Sequence, residues 1–402
     1  MAHPRIVVTG LGGLCSIGAN ADEIWQSMRS GRCGIGPLTI DRRDLKTNIG
    51  GEIPYVDDSG IDPRQRATMG RFALLATLAA GEAMTRAGLG REAVSSSRMG
   101  AVVGVAVWGA DAVDDSYRDV FLEGKKRAHI LTVPRAMPAA AAAQVSMAYG
   151  LRGPVFGVTS ACSSANHAIS AAIDQIRSGR ADIMLAGGAD APVQYGILKA
   201  WEAMRVLARN GCQPFSDDRD GLVLADGAGM AVLETLDSAL ARGAPVLAEI
   251  VGCGLSADAS DVVSPSVEGP IAAMQACLDD AGLGPEAVDY INAHGTGTRI
   301  NDRIETAAIR AVFGAHADRL NVSSTKSMHG HCLGASGAIE LIACVNAIRH
   351  SVVPPTIGYS AADPECDLNV TPNHAAERRV DVALSNAFAF GGLNAVIAVR
   401  KV

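Results

Sequence analysis

Short runs of β-branched and other apolar residues recur along the chain, each ending in glycine or small polar residues. They include RIVVTG (5–10), GAVVGVAV (100–107), PVFGVTS (154–160) and DIMLAGG (182–188). Between them lie Ala-rich stretches of helical character, FALLATLAAGEAMTRAG (72–88) and HAISAAIDQIRSG (167–179). Continuous apolar strands alternating with helices predict an α/β fold whose sheet is covered on both faces.

The second half of the chain echoes the first. VLAEIVGCGLS (246–256) resembles the opening IVVTGLGGLCS, and VDYINAHGTGT (288–298) sits where GAVVGVAVWGA sat. LNVSSTKSMHGHCLGASGAIELIACVNAI (320–348) then parallels PVFGVTSACSSANHAISAAIDQI: strand, small polar turn, reactive side chain, small-residue helix. Two similar βα halves set back to back bring corresponding turns together. The expected division is 1–240 and 241–402, with LDSALARGAPV (236–246) read as a turn between the halves.

Composition narrows the function classes. With 402 residues and 48% apolar content the chain can bury a large core. Its 35 basic and 42 acidic residues give a net charge of −7 without long single-sign runs, which disfavours nucleic acid as a partner. Aromatics make up only 4% while glycines number 44, so backbones are expected to pack closely. Nine cysteines without a CxxC pair or zinc-type spacing point to a reducing, cytoplasmic setting and to no metal site. No apolar run reaches the roughly 18 residues of a membrane helix, and the first strand is broken by glycines unlike a signal peptide.

Three features fall outside the ordinary core pattern: Cys162 in TSACSS, His294 in NAHGTGT, and Lys326, His329 and His331 in STKSMHGH. Each follows a predicted strand, where ligands sit in doubly wound architectures. Most free cysteines are core, and a single histidine in a glycine turn usually satisfies backbone groups. A cysteine with two separate histidine turns, all at strand ends, is harder to explain as packing. Cys162 would open a helix, whose amides and dipole favour a thiolate. Thr296 and Thr298 alternate with glycines, so their hydroxyls can line a groove for a narrow ligand such as a pantetheine arm. In NAFAFGGLN (386–394), exposed amides could complete an oxyanion hole while Phe388 or Phe390 closes a pocket; a plain tight turn before the last strand is the alternative.

Together, TSACSS, NAHGTGT, STKSMHGH and NAFAFGGLN, in this order, resemble the β-ketoacyl-acyl carrier protein synthases of the thiolase superfamily. The likeness spans essentially the whole chain. Within the family it is to the elongating Cys-His-His synthases of type II systems, and VFGVTSAC, RADIMLAGGADAP and SSTKSMHGHCLGA are worded most like the nodulation protein E group.

The resemblance implies a layered α-β-α-β-α fold and decarboxylative condensation of malonyl carrier protein with an acyl chain held on Cys162. His294 and His331 would donate to the enolate oxygen. The amides of Cys162 and Phe390 would hold the oxyanion. Lys326 would be paired with, or have its surroundings ordered by, Glu305. Substrate contacts would come from Thr296, Thr298, Val107, Trp108, Gly391 and Gly392, with His329 as a neighbour that tunes the pocket. No cofactor is implied beyond the phosphopantetheine arm of the carrier. Partners would be an acidic acyl carrier protein, with Lys125, Lys126 and Arg127 as a candidate patch, and a second subunit, identical or related. Alanines 139–143 would either leave space at that interface or pack tightly. A subunit active only beside a chain-length partner is the main alternative. A silent partner would lack the nucleophile, a biosynthetic thiolase would carry a second cysteine in NAFAFGGLN, and a cysteine hydrolase would leave one histidine turn idle.

Overall fold

The computed structural model describes residues 4–53, 55–90 and 98–402. Ten strands form one continuous sheet: β1 (Ile6–Cys15), β2 (Met99–Gly104), β3 (Val155–Val158), β4 (Ile183–Asp190), β5 (Gly227–Thr235), β6 (Ala248–Ala257), β7 (Tyr290–Asn292), β8 (Asn321–Ser323), β9 (Val382–Ala389) and β10 (Leu393–Arg400). Their order is β8-β7-β9-β10-β6-β1-β5-β4-β2-β3. The first five strands and the last five therefore repeat one arrangement, outward from a central seam where Ile6–Val8 pair antiparallel with Ala248–Ile250. In each half the second strand runs parallel to the third and fourth, and the fifth is antiparallel to its neighbours. The echo read in the sequence is a duplication of this five-stranded unit.

Helices α1 (Arg71–Arg86) and α2 (Ala140–Tyr149) cover the outside of the first half, and α4 (Glu268–Ala281) and α5 (Arg299–Phe313) cover the second. Helices α3 (Ser164–Arg177) and α6 (Ser336–His350) pack on each other between the halves. Helix α6 is buried at every position from Ser336 to Ile348, as a helix without a solvent face must be. The layers are α-β-α-β-α. The glycines of β1 make close packing possible: a Cβ on Gly12 would lie 2.1 Å from Ala79 O of α1.

The turns that enter α3 and α6 are also duplicates. Ala161 (φ +49°) opens a 3-10 turn, Ala161–Ser163, before α3. Leu333 (φ +46°) opens Leu333–Ala335 before α6. A left-handed non-glycine residue costs on the order of 1–2 kcal/mol, so packing holds both turns in place. They lie against each other at the interface of the halves.

Two local expectations change. LDSALARGAPV is not simply a turn: Leu236–Ala241 is helical, started by Thr235, whose hydroxyl accepts the Ser238 amide. Of alanines 139–143, Ala140, Ala141 and Ala142 are buried in the chain's own core beside α1, the tight-packing alternative.

Candidate active site

Cys162 is the middle residue of the 3-10 turn that feeds α3 and is 7% exposed. The turn is tied by short hydroxyl bonds. Ser164 Oγ accepts from Ser160 N and donates to Ala161 O, and Ser163 Oγ donates to Ser160 O. The expected thiolate is not what the structure places here. Burial pushes the Cys162 thiol up to about 12, outweighing the nearby Lys326 charge and the hydrogen bonds from the Phe390 and Cys162 amides, which pull the other way. At rest the group is a thiol with two backbone donors aimed at its sulfur.

The two histidine turns converge on it. Cys162 Sγ and ring nitrogens of His294 and His331 all lie within 4.8 Å of one another. The imidazoles meet edge to face, with centroids 5.5 Å apart and planes at 82°. His294 follows β7, and its amide and that of Gly295 donate to Glu305 Oε1 and Oε2 at 2.8 and 2.7 Å. Glu305 stands on α5 and also accepts from Asn386 Nδ2; burial raises its carboxyl to about 7. His331 is fixed by its backbone, which donates to Val223 O and accepts from Ala225 N, and by a 2.9 Å bond between Nδ1 and Ser336 Oγ at the start of α6. Burial first, and then the Lys326 charge, hold both imidazoles well below the ordinary histidine range, so both are neutral. His294 Nδ1 and His331 Nε2 are buried without hydrogen-bond partners among the described residues.

These groups stand in the wall of a cavity of about 340 Å³. Thr296 and Thr298 face into it, their hydroxyls 3.0 Å apart, on a backbone that turns at Gly295 (φ +37°) and Gly297 (φ +82°). The hairpin of β9 and β10 contributes Phe388, Phe390, Gly391 and Gly392. Phe388 meets His294 edge to face at 6.1 Å, and Phe390 stacks on Trp201 at 5.7 Å. A thiol, two neutral imidazoles and two convergent amides at the wall of a narrow cavity suit acyl transfer, in which negative charge appears on oxygen and needs donors.

Comparison with known proteins agrees. The beta-ketoacyl synthase N-terminal domain matches residues 3–239 and the beta-ketoacyl synthase C-terminal domain residues 247–360. The chain belongs to the β-ketoacyl synthase family. It is 61% identical to nodulation protein E of Rhizobium sp. (strain N33), over 99% of each chain. It is 39% identical to 3-oxoacyl-[acyl-carrier-protein] synthase 2 of Staphylococcus aureus (strain COL), again over 99% of each. Among solved structures it matches the ishigamide ketosynthase/chain length factor with a TM-score of 0.96 and 35% identity, covering all of both chains. The expected family, fold class and likeness to nodulation protein E all stand.

Several residues of this synthase lie elsewhere than the sequence suggested. Lys326 does not pair with Glu305; its Nζ donates to Glu340 on α6, and both are fully buried. Glu305 is committed to the His294 turn instead. Sequence reasoning missed Glu340; the signal that could have found it is that it is the one carboxylate in the apolar run GAIELIACV, where a buried charge requires a partner. His329 does not reach the cavity: its Nε2 bonds Thr325 Oγ1 and its Nδ1 faces Cys332, within the core. Val107 packs in the apolar cluster around Cys162 but does not line the cavity, and Trp108 (φ +50°, 48% exposed) points away from it. Trp201, Ser336 and the segment Asp261–Pro265, which covers the cavity and takes the Gly391 amide on Val262 O, carried no motif that singled them out.

Proposed function

We propose that this synthase elongates an acyl chain held on Cys162 by decarboxylative condensation with malonyl carrier protein. The observation that carries the reading is the meeting of Cys162 with His294 and His331 within 4.8 Å at the cavity wall. In the first half-reaction the Cys162 sulfur attacks the thioester carbonyl of an acyl carrier protein. The Cys162 and Phe390 amides receive the oxyanion, and the carrier thiol leaves with the proton that Cys162 gives up. In the second, malonyl carrier protein loses carbon dioxide. The resulting enolate oxygen accepts hydrogen bonds from the Nε2–H of His294 and His331; for His331, a Ser336 hydroxyl donating to Nδ1 leaves the hydrogen on Nε2. The enolate carbon attacks the Cys162 thioester, the sulfur departs and is reprotonated from solvent, and a 3-ketoacyl carrier protein is released. Neutral histidines suit this role because they donate without carrying a proton that the carboxylate would take.

The phosphopantetheine arm arrives on the carrier and fits the groove bearing Thr296 and Thr298; no resident cofactor enters these steps. Lys126 and Arg127 are exposed and are the basic pair we assign to carrier docking, whereas Lys125 is occupied by Asp119 and Glu123. We read the chain as a dimer, with itself or with a related subunit. Strand β3 ends the sheet, and Phe121, Ile130 and Val133 are 74–90% exposed on the segment leading into α2, the helix packed on that strand. No helix among the described residues is long and apolar enough to cross a membrane, and a cytoplasmic setting is the one we assign.

The test is intact-mass analysis of the protein and its Cys162→Ala variant with acyl carrier proteins of several chain lengths, then with malonyl carrier protein. The expected result is an acyl mass on the unmodified protein alone, discharged as a 3-ketoacyl product. An unacylated protein that gains activity only with a related subunit supports the heterodimer; release of free acid would overturn condensation.

A further inference from the structure

The duplication builds the nucleophile turn twice, and the second copy is closed by a carboxylate. Strands β4 and β9 are the fourth strands of their halves, each eight residues long, ending at Asp190 and Ala389. After Ala389 comes Phe390, whose amide points at Cys162 Sγ. In the mirrored position, Gly334 follows the left-handed Leu333 as Cys162 follows the left-handed Ala161. The Gly334 amide donates to Asp190 Oδ2 at 2.7 Å. The loops after β2 and β7 correspond in the same way. His294 and Gly295, two and three residues past β7, give their amides to Glu305, and Ala106 and Val107, two and three past β2, give theirs to Asp190 at 2.8 and 3.0 Å.

We infer that Asp190 is a positioning residue: its carboxylate, gripping three amides from two turns, locks the wall behind Cys162 to the turn that follows His331. Asp190 is wholly buried. The residues it holds, Ala106 and Val107 on one side and the Leu333 turn on the other, belong to the apolar cluster that includes Cys162. An anion in a nest of converging amides is a strong and directional clamp. The carboxylate also lies close enough to Cys162 for its charge to favour the protonated thiol. No feature of this clamp lines the cavity, so Asp190 acts on the reaction through the two turns and through its charge near Cys162, without touching substrate. The inference rests on the condensation reading for its kinetic consequence and on the fold alone for its structural one.

The decisive variants are Asp190→Asn and Asp190→Glu in the full chain. Asn keeps one acceptor oxygen and turns an NH2 toward an amide donor, so the turns separate. Because a displacement of about 1 Å at reacting groups costs on the order of a hundredfold, kcat for condensation is expected to fall about 10- to 100-fold. KM for carrier substrates stays within about twofold, since the groove is untouched, and Glu, which keeps the carboxylate, recovers part of the loss. Gly334→Ala attacks the same contact from the other side, because its Cβ would lie 2.6 Å from Asp190 Oδ2, and should give the same split. A reading independent of substrate is peptide-resolved alkylation of Cys162 by iodoacetamide at pH 8.5, where the Asp190 carboxyl, raised by burial to about 7, is ionised; it should quicken at least about threefold in Asp190→Asn once the neighbouring negative charge is gone. Unchanged kcat and unchanged alkylation in a folded Asp190→Asn protein would overturn the inference. So would a kcat loss matched by loss of folded protein in Asn and Glu variants alike. If the unmodified protein neither acylates nor condenses, the condensation reading falls and the alkylation result alone decides the clamp.

Discussion

Lys326 and Glu340 form a wholly buried ion pair beside the two cavity histidines, one member on the turn before His331 and the other on the central helix α6. Removing one partner leaves an uncompensated charge, which costs roughly 3–5 kcal/mol. Lys326→Met and Glu340→Leu are therefore each expected to lower Tm sharply. The double variant should regain most of that stability in thermal or denaturant unfolding, while His294 and His331 stay neutral because burial, the larger of the two causes that hold them down, is unchanged. If the double variant is no more stable than the singles, the pair is not coupled as the geometry requires.

Glu305 controls His294 through the backbone and not through the ring. In Glu305→Gln one amide of the His294 turn loses its acceptor, at a cost of about 1–3 kcal/mol. Cys162 stands on a different turn and should still be acylated, while condensation falls about tenfold or more. Burial raises the Glu305 carboxyl to about 7, so the unmodified protein loses the carboxylate as pH falls through that value. The condensation rate should rise with pH across about 6–8 in the unmodified protein and flatten in the Gln variant. Equal loss of acylation and condensation would contradict this division of labour.

The Trp201 indole stacks on Phe390, with planes at 21°, and both line the cavity. Trp201→Ala removes a contact of roughly 0.5–1.5 kcal/mol and enlarges the cavity that Cys162 also lines. With a mixture of acyl carrier proteins competing for Cys162, intact-mass analysis should show a shift toward longer or bulkier donors. An unchanged donor distribution would mean that this stack does not shape the acyl pocket.

Cys162, His294 and His331 were legible because reactive side chains in glycine- and serine-rich turns after apolar strands are conspicuous in a chain otherwise built of aliphatic core. The duplication was legible for the same reason: the two halves repeat the succession of strand, turn and helix even where their residues differ. What escaped depended on distance. Glu305 and Glu340 are both acids on helices, and only the fold shows that one faces the His294 amides and the other Lys326. The charge state of Cys162 escaped as well. The helix start is visible in SACSSANHAI, but the burial that outweighs it depends on Leu333 and Ala389, which the other half brings into the apolar cluster around Cys162. Trp108 was misplaced because its neighbour Val107 turns inward while the left-handed backbone at Trp108 sends its ring out.

His329 lies outside the cavity yet bears on stability. Burial first, then Lys326, pushes its imidazole down to about 3, and its nitrogens are occupied by Thr325 and Cys332. A histidine whose folded pKa is depressed stays neutral in the native state while the unfolded chain takes up a proton below about 6.5. The unfolded state then binds more protons, so this residue's contribution to stability falls as pH drops, by about 1.4 kcal/mol per pH unit between roughly 6.5 and 3. Glu305, Asp190 and Asp226, whose carboxyls burial raises, pull the other way in the same window, so the total slope does not isolate one group. The difference between proteins does. His329→Gln keeps a hydrogen-bonding side chain that does not titrate, and the loss of unfolding free energy from pH 7.5 to pH 5 should shrink by about 2 kcal/mol relative to the unmodified protein. Parallel pH curves in denaturant unfolding would show that His329 protonates in the native state, which would require it to reach solvent or an acidic partner that its surroundings do not provide.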